Sequence, residues 1–231
     1  MTESAVAFAT KSDYAYNRLR EGILRGEFEP GMVLQQSQLA RTIGISTTPL
    51  REAMRRLMTE GLVTLDAHRD ARVSGLTGEE ARDLLELRLS LDPLACSLAA
   101  QRRTHDDIAR MREALRHCHP LMSDPSIDDL VNHRAFHSAI YEASHNDLLI
   151  STLDALWDKA DRYRRLGLQV ERTQEERDQK DGEHHGLLEA IVNGDSDTAA
   201  SIMTRHISTS LGAKAATRLG VNDPAPVVSA G

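Results

Sequence analysis

Apolar residues recur at helical spacing from Tyr14 onward, with Ala15, Leu19, Ile23 and Leu24 on one face. Gly26 and the Glu29-Pro30-Gly31 turn then break the rhythm. A short second helix is predicted over 37–43, with Leu39, Ala40 and Ile43 inward and Gly44 closing it. Ser46 is placed to cap a third helix, whose first turn tolerates Pro49 because that position needs no N–H donor. Leu50, Ala53, Met54 and Leu57 form its apolar side, while Arg51, Arg55 and Arg56 lie elsewhere on its surface. Gly61 suits the position after its last turn. The period then changes: 62–65 and 71–74 read as two strands joined through His68-Arg69-Asp70. Helix, helix, glycine turn, helix and hairpin is the order of a winged helix-turn-helix.

From Thr77 the helical period returns and persists. Thr77-Gly78-Glu79-Glu80 has the form of a capping box. Helices are expected at 78–100, 104–118, 127–144, 147–169, 172–193 and 196–217, with Asp147 and Asp195 near helix starts, where the dipole favours acids. The pattern therefore predicts a mainly α chain. It divides into a flexible arm (1–12), a winged helix-turn-helix domain (13–76), an all-α helical bundle (77–218) and a disordered tail (219–231).

Composition narrows the class. The 231 residues are 40% hydrophobic and only 3% aromatic, enough for real cores but not for a sheet-rich protein. No apolar run approaches the length of a bilayer span, and the first residues lack a signal-peptide layout, so a cytoplasmic protein is expected. Cys96 and Cys118 sit in helical stretches and read as small buried hydrophobes. The formal net charge of −7 argues at first against nucleic acid. It is unevenly spread: residues 1–76 hold 10 basic and 9 acidic side chains (+1), and the remainder 18 and 26 (−8).

Two constellations carry chemistry. Thr47, Thr48 and Arg51 lie near the start of the third helix, where a helix in a major groove reaches base edges, and Arg51 can bond two guanine acceptors. Ser46 opens the same DNA-facing end, and Arg41, Arg55, Arg56, Arg69 and Arg72 are placed for phosphate contacts. The second constellation is histidine. His133 and His137 are four apart on one helix face, His184 shares a face with Leu187, Leu188 and Ile191, and His206 follows Ala199, Ile202 and Met203. Three helices can thus converge imidazoles on one interior point, a donor set suited to Zn, Ni, Cu or Fe.

The segments LREGILRGEFEPGMVL (19–34), LARTIGISTTPLREAMRRLMTEGLV (39–63) and ARV (71–73) closely resemble the winged-helix domain of GntR-type bacterial transcription regulators. The resemblance implies operator binding. The sequence departs from that pattern at Thr47, where the family commonly has Arg, and at Asp70, where it often has Gly. Both departures bear on operator preference.

Residues 77–218 resemble the FCD ligand-binding domain of the FadR-type branch, through LLELRLSLDPLACSLAA (84–100), HRAFHSAIYEASHNDLL (133–149) and EHHGLLEAIVNGDSDTAASIMTRHI (183–207). That resemblance implies a divalent transition metal, Zn or Ni, held by His133, His137, His184 and His206, and it selects His184 over His185. The family's first ligand is an Asp, replaced here by His133, with Asp129 one turn earlier as a substitute. It further implies a small organic or sugar acid as effector, met by Arg88, with Arg134 and Arg162 as further candidates. Asn146 either shapes that pocket or caps a helix. A homodimer on a palindromic double-stranded DNA operator, acting as a repressor relieved by ligand, is the expected assembly. The alternative is a metal-dependent enzyme on a His-rich bundle, for which no H-E-x-x-H or nucleophile elbow is present.

Overall fold

A computed structural model describes residues 10–65, 71–122, 125–168 and 173–221. The chain divides into two compact units, Met1–Leu76 and Thr77–Gly231. No helix among the described residues is long and apolar enough to cross a membrane.

In the first unit, α1 (Lys11–Leu24) starts where the Thr10 side chain accepts from the Asp13 amide, so Lys11 and Ser12 are helical rather than part of an arm. A two-residue strand β1 (Val33–Leu34) precedes α2 (Gln36–Ile43), which Gly44 ends in a left-handed conformation at φ 75°. Next come α3 (Thr47–Thr59), β2 (Val63–Leu65) and β3 (Ala71–Val73). Ser46 has the extended backbone of a cap residue, but its hydroxyl makes no capping hydrogen bond. The sheet runs β1-β3-β2, antiparallel throughout, with Leu34 and Leu65 both opposite Ala71. β1 was not foreseen, because two residues cannot display an alternating period. Leu19, Leu50, Met54, Leu57, Leu62 and Val73 build the core of this unit. Burying each large side chain contributes roughly 1.5–3 kcal/mol, and together they fix α3 against α1 and the sheet.

The second unit comprises α4 (Gly78–Arg102), α5 (His105–His117), α6 (Ile127–Glu142), α7 (Asp147–Leu168), α8 (Gln174–Asn193), α9 (Ser196–Ser208) and α10 (Leu211–Arg218). Thr77, Thr104, Ser126 and Thr173 each accept a first-turn amide, and the last three form full capping boxes. Small buried residues on α4 (Ala95, Cys96, Ala99, Ala100) let it pack closely along α9.

The single helix expected over 196–217 is broken. Ser210 accepts from the Ala213 amide and starts α10 afresh, leaving Thr209 and Ser210 as the junction. Gly167 of α7 lies against the Leu211 carbonyl, a contact that leaves no space for a Cβ. At the chain's end, the Val221 amide donates to Ala216 O at 3.0 Å while Gly220 takes φ 90°, so 219–221 cap α10. The tail expectation otherwise falls on 222–231, and most of the arm on 1–9, both outside the described residues.

Candidate metal centre

Helix periodicity and capping bring four imidazoles to one point. His133 and His137 project from the same side of α6, His184 from α8 and His206 from α9. Ring centroids of His133 and His137 are 4.8 Å apart, and so are those of His184 and His206. One nitrogen from each of the four lies within 4.8 Å of all the others. Four nitrogens bound tetrahedrally at about 2.0–2.1 Å stand about 3.3–3.4 Å apart, so small side-chain adjustments close the set around an ion.

The site is largely buried and electrically prepared for neutral imidazole. His137 is fully buried, with His184 and His206 nearly so. Neither ring nitrogen of His137 has a hydrogen-bond partner among the described residues. Leaving a buried polar atom unsatisfied costs about 1–3 kcal/mol, a cost that a metal–nitrogen bond would remove. Burial holds His133, His137 and His206 well below the ordinary histidine range, reinforced by Arg164 at His133 and by the neighbouring histidines at His137 and His206. Neutral imidazole is the form that ligates.

Outer contacts orient the rings. Glu183 Oε2 lies 2.9 Å from His206 Nδ1, so Nδ1–H donates there and Nε2 is the nitrogen left for an ion. Cys118 Sγ is 3.7 Å from His184 Nδ1, which gives this buried thiol a role beyond filling space. Arg164 Nη2 is 3.3 Å from His133 Nδ1, and its Nη1 donates to Asp161 at 2.8 Å. These residues fit a metal with four nitrogen donors.

Beside the imidazoles lies a cavity of about 40 Å³. That is room for an ion and a water, but not for an organic acid unless a wall moves. Arg88, Arg164, Lys180 and Lys214 line it, and no carboxylate among the described residues does. The guanidinium groups of Arg88 and Arg164 stand over the Trp157 ring, 4.7 and 4.9 Å from its centroid. Burial alone would lower the Arg88 pKa, yet Asp92, bonded at 2.8 Å, and Tyr141 raise it, so Arg88 stays charged.

Other candidates lie elsewhere. Arg134 is occupied by Asp158 at 2.6 Å, with Asp161 and Asp154 further out, and does not line the cavity. Asn146 Oδ1 accepts from the Leu149 amide at 3.2 Å and caps α7. Asp129 closes the α6 capping box, which takes it out of contention as a ligand. His185 faces solvent near Asp181, and Arg162 packs on Tyr163. Trp157, Arg164, Lys180, Glu183 and Lys214 were missed. Glu183 alone had a signal, its place directly before His184.

In the first unit Thr47, Thr48, Arg41, Arg55 and Arg51 are exposed along α2 and α3, with Arg51 Nε donating to Gln36 Oε1 at 3.1 Å. Arg72 Nη1 donates to the Gly31 carbonyl at 2.6 Å, pinning the turn before β1. Arg69 lies outside the described residues. Arg56, expected at phosphate, instead pairs with Asp13 at 2.8 Å and stands 3.8 Å over the Tyr16 ring, tying α3 to α1.

Comparison with known proteins covers both units. The family model described as "Bacterial regulatory proteins, gntR family" matches residues 11–73, and "FCD domain" matches 83–209. The HTH-type transcriptional repressor GlaR of Escherichia coli is 30% identical over 206 residues, 84% of this chain and 91% of the relative. The HTH-type transcriptional regulator LutR of Bacillus subtilis is 27% identical over 208 residues, 80% of this chain and 93% of the relative. Among solved structures, E. coli McbR/YncC superposes with a TM-score of 0.72 at 23% identity, covering 87% of this chain and 97% of that one. A putative GntR regulator from Rhodococcus sp. RHA1 gives 0.69 at 18% identity, covering 90% and 97%. At such identities the structures speak to fold alone. The matched relatives are transcriptional regulators rather than enzymes.

Proposed function

This chain belongs to the gntR family of bacterial regulatory proteins and carries an FCD domain, and from that premise we propose a ligand-responsive repressor that senses a small organic or sugar acid at a metal-holding pocket. It acts in the cytoplasm and grips a short palindromic operator as a homodimer, the protein's two-fold axis mirroring that of the DNA. The observation that carries the sensing half is a cavity lined by four imidazoles and four cations, with no carboxylate among the described residues.

His133, His137, His184 and His206 would hold a divalent ion such as Zn or Ni. When bound, the ion would supply positive charge that attracts an acid's carboxylate. Four neutral donors cancel none of that charge, whereas the carboxylate expected in place of His133 would cancel half. Arg88 and Arg164, braced on Trp157, add fixed positive charge and bidentate donors suited to a carboxylate. An acid larger than the cavity must displace a wall, and the parts of the lining outside helices are Pro120 and Leu121 and the Thr209–Ser210 junction. Ligand entry therefore moves one of these two segments. Any resulting change in operator affinity is matched by an equal change in effector affinity in the presence of operator.

The experiment is a thermal-shift screen of small carboxylates on Zn-loaded protein, followed by operator gel shifts with each hit. A stabilising acid that releases operator is the expected result. Acids that stabilise without changing DNA affinity would remove the regulatory reading.

A further inference from the structure

A second cavity, of about 310 Å³, adjoins the metal-facing one. Lys180, Thr209 and Lys214 line both. The outer cavity is closed on its apolar side by Leu85, Ala216 and Val221. The two spaces thus meet at the α9–α10 junction, with two lysines at the meeting point.

These lysines differ in what they have left to offer. Lys180 Nζ already donates to Glu183 Oε2 at 2.8 Å, to the His206 carbonyl at 3.0 Å and to Thr209 Oγ1 at 2.5 Å, so its three protons are committed. Lys214 Nζ donates to Glu176 Oε1 at 2.7 Å, which leaves two protons for a ligand. Glu176 is also anchored without it, since Oε2 accepts from the Thr173 amide at 3.0 Å in the α8 capping box. Lys214 can therefore turn toward a ligand without stripping Glu176 of every partner.

We propose that Lys214 is a specificity residue for an acid with two anionic ends, one in the imidazole chamber and the other at Lys214 in the outer cavity. The inference rests on the acid-sensing reading and adds to it the class of acid. A monoanionic acid has one anionic end to offer and gains nothing from a second cationic group at the outer cavity. A dianionic acid of adequate length engages both cation groups, while its methylene chain lies between them.

The test is calorimetric titration of Zn-loaded full-length protein with straight-chain α,ω-dicarboxylates of three to six carbons and with monocarboxylates of equal length. The expected result is at least a tenfold preference for the dicarboxylate at one chain length. Lys214→Gln should abolish that preference, weakening the preferred dicarboxylate at least tenfold more than the monocarboxylate of equal length. Glu176→Gln, which frees Lys214, should retain or strengthen it. Equal affinities for the two series at every length, or equal weakening of both by Lys214→Gln, would overturn the assignment. Binding of neither series would instead overturn the acid-sensing reading on which it rests, and the assignment with it.

Discussion

At the scale of single residues, the decisive side chain is His137, wholly buried with both nitrogens lacking a partner among the described residues. Its spacing from His133 made the pair legible in the sequence, as the apolar neighbours did for His184 and His206. Arg164 and Lys214 were not legible, because helical periodicity says which face a residue shares but not which distant helix that face meets. The depressed pKa values of His133, His137 and His206 have a measurable consequence, caused first by burial. As pH falls below about 6.5 the unfolded chain takes up protons at these residues and the folded chain does not. Their contribution to stability is therefore complete above that pH and lost as pH falls toward the folded values. Metal-free protein should show a melting temperature that declines steadily from pH 7 to pH 5, above the range in which Asp13, Asp107 and Asp195 titrate. A flat or rising profile over that interval would mean that the cluster is open to solvent.

At the scale of elements, caps and glycines marked most helix limits, and the winged-helix order was readable from the switch between helical and alternating periods. The break within 196–217 was not, because it depends on Ser210 finding the Ala213 amide and on Gly167 admitting Leu211. Neither contact leaves a mark on periodicity. In α3 the arginines separate by environment. Arg51 is exposed near the helix start, and Arg51→Ala should erase discrimination between operator and random DNA in a gel-shift titration, as expected for a residue reading base edges. Retained discrimination would mean that another element reads the bases. Arg56→Ala should leave discrimination intact and lower stability slightly in chemical unfolding, because the exposed Asp13 pair is weak and the Tyr16 contact adds modestly. A uniform loss of DNA affinity without destabilisation would restore Arg56 to the phosphate-contacting set.

At the scale of the whole molecule, the net charge of −7 is a poor guide, since it joins a unit near neutrality to a strongly acidic one. With only +1 in residues 1–76, DNA binding must rely on local arginine placement rather than on a broad positive field. Within the acidic unit the sign reverses locally, as cations line the cavity while their carboxylate partners stand behind them. Sequence alone revealed the separation of reader from sensor, but not this inversion, which arises from helices distant in the chain. The central claim is that the four histidines hold a metal. Its most direct test is the zinc content of protein purified without chelator, beside His137→Ala and His184→Ala. One zinc or nickel ion per wild-type chain and none in either folded variant is the predicted result. Wild-type protein that is metal-free and cannot be loaded with either ion would contradict it.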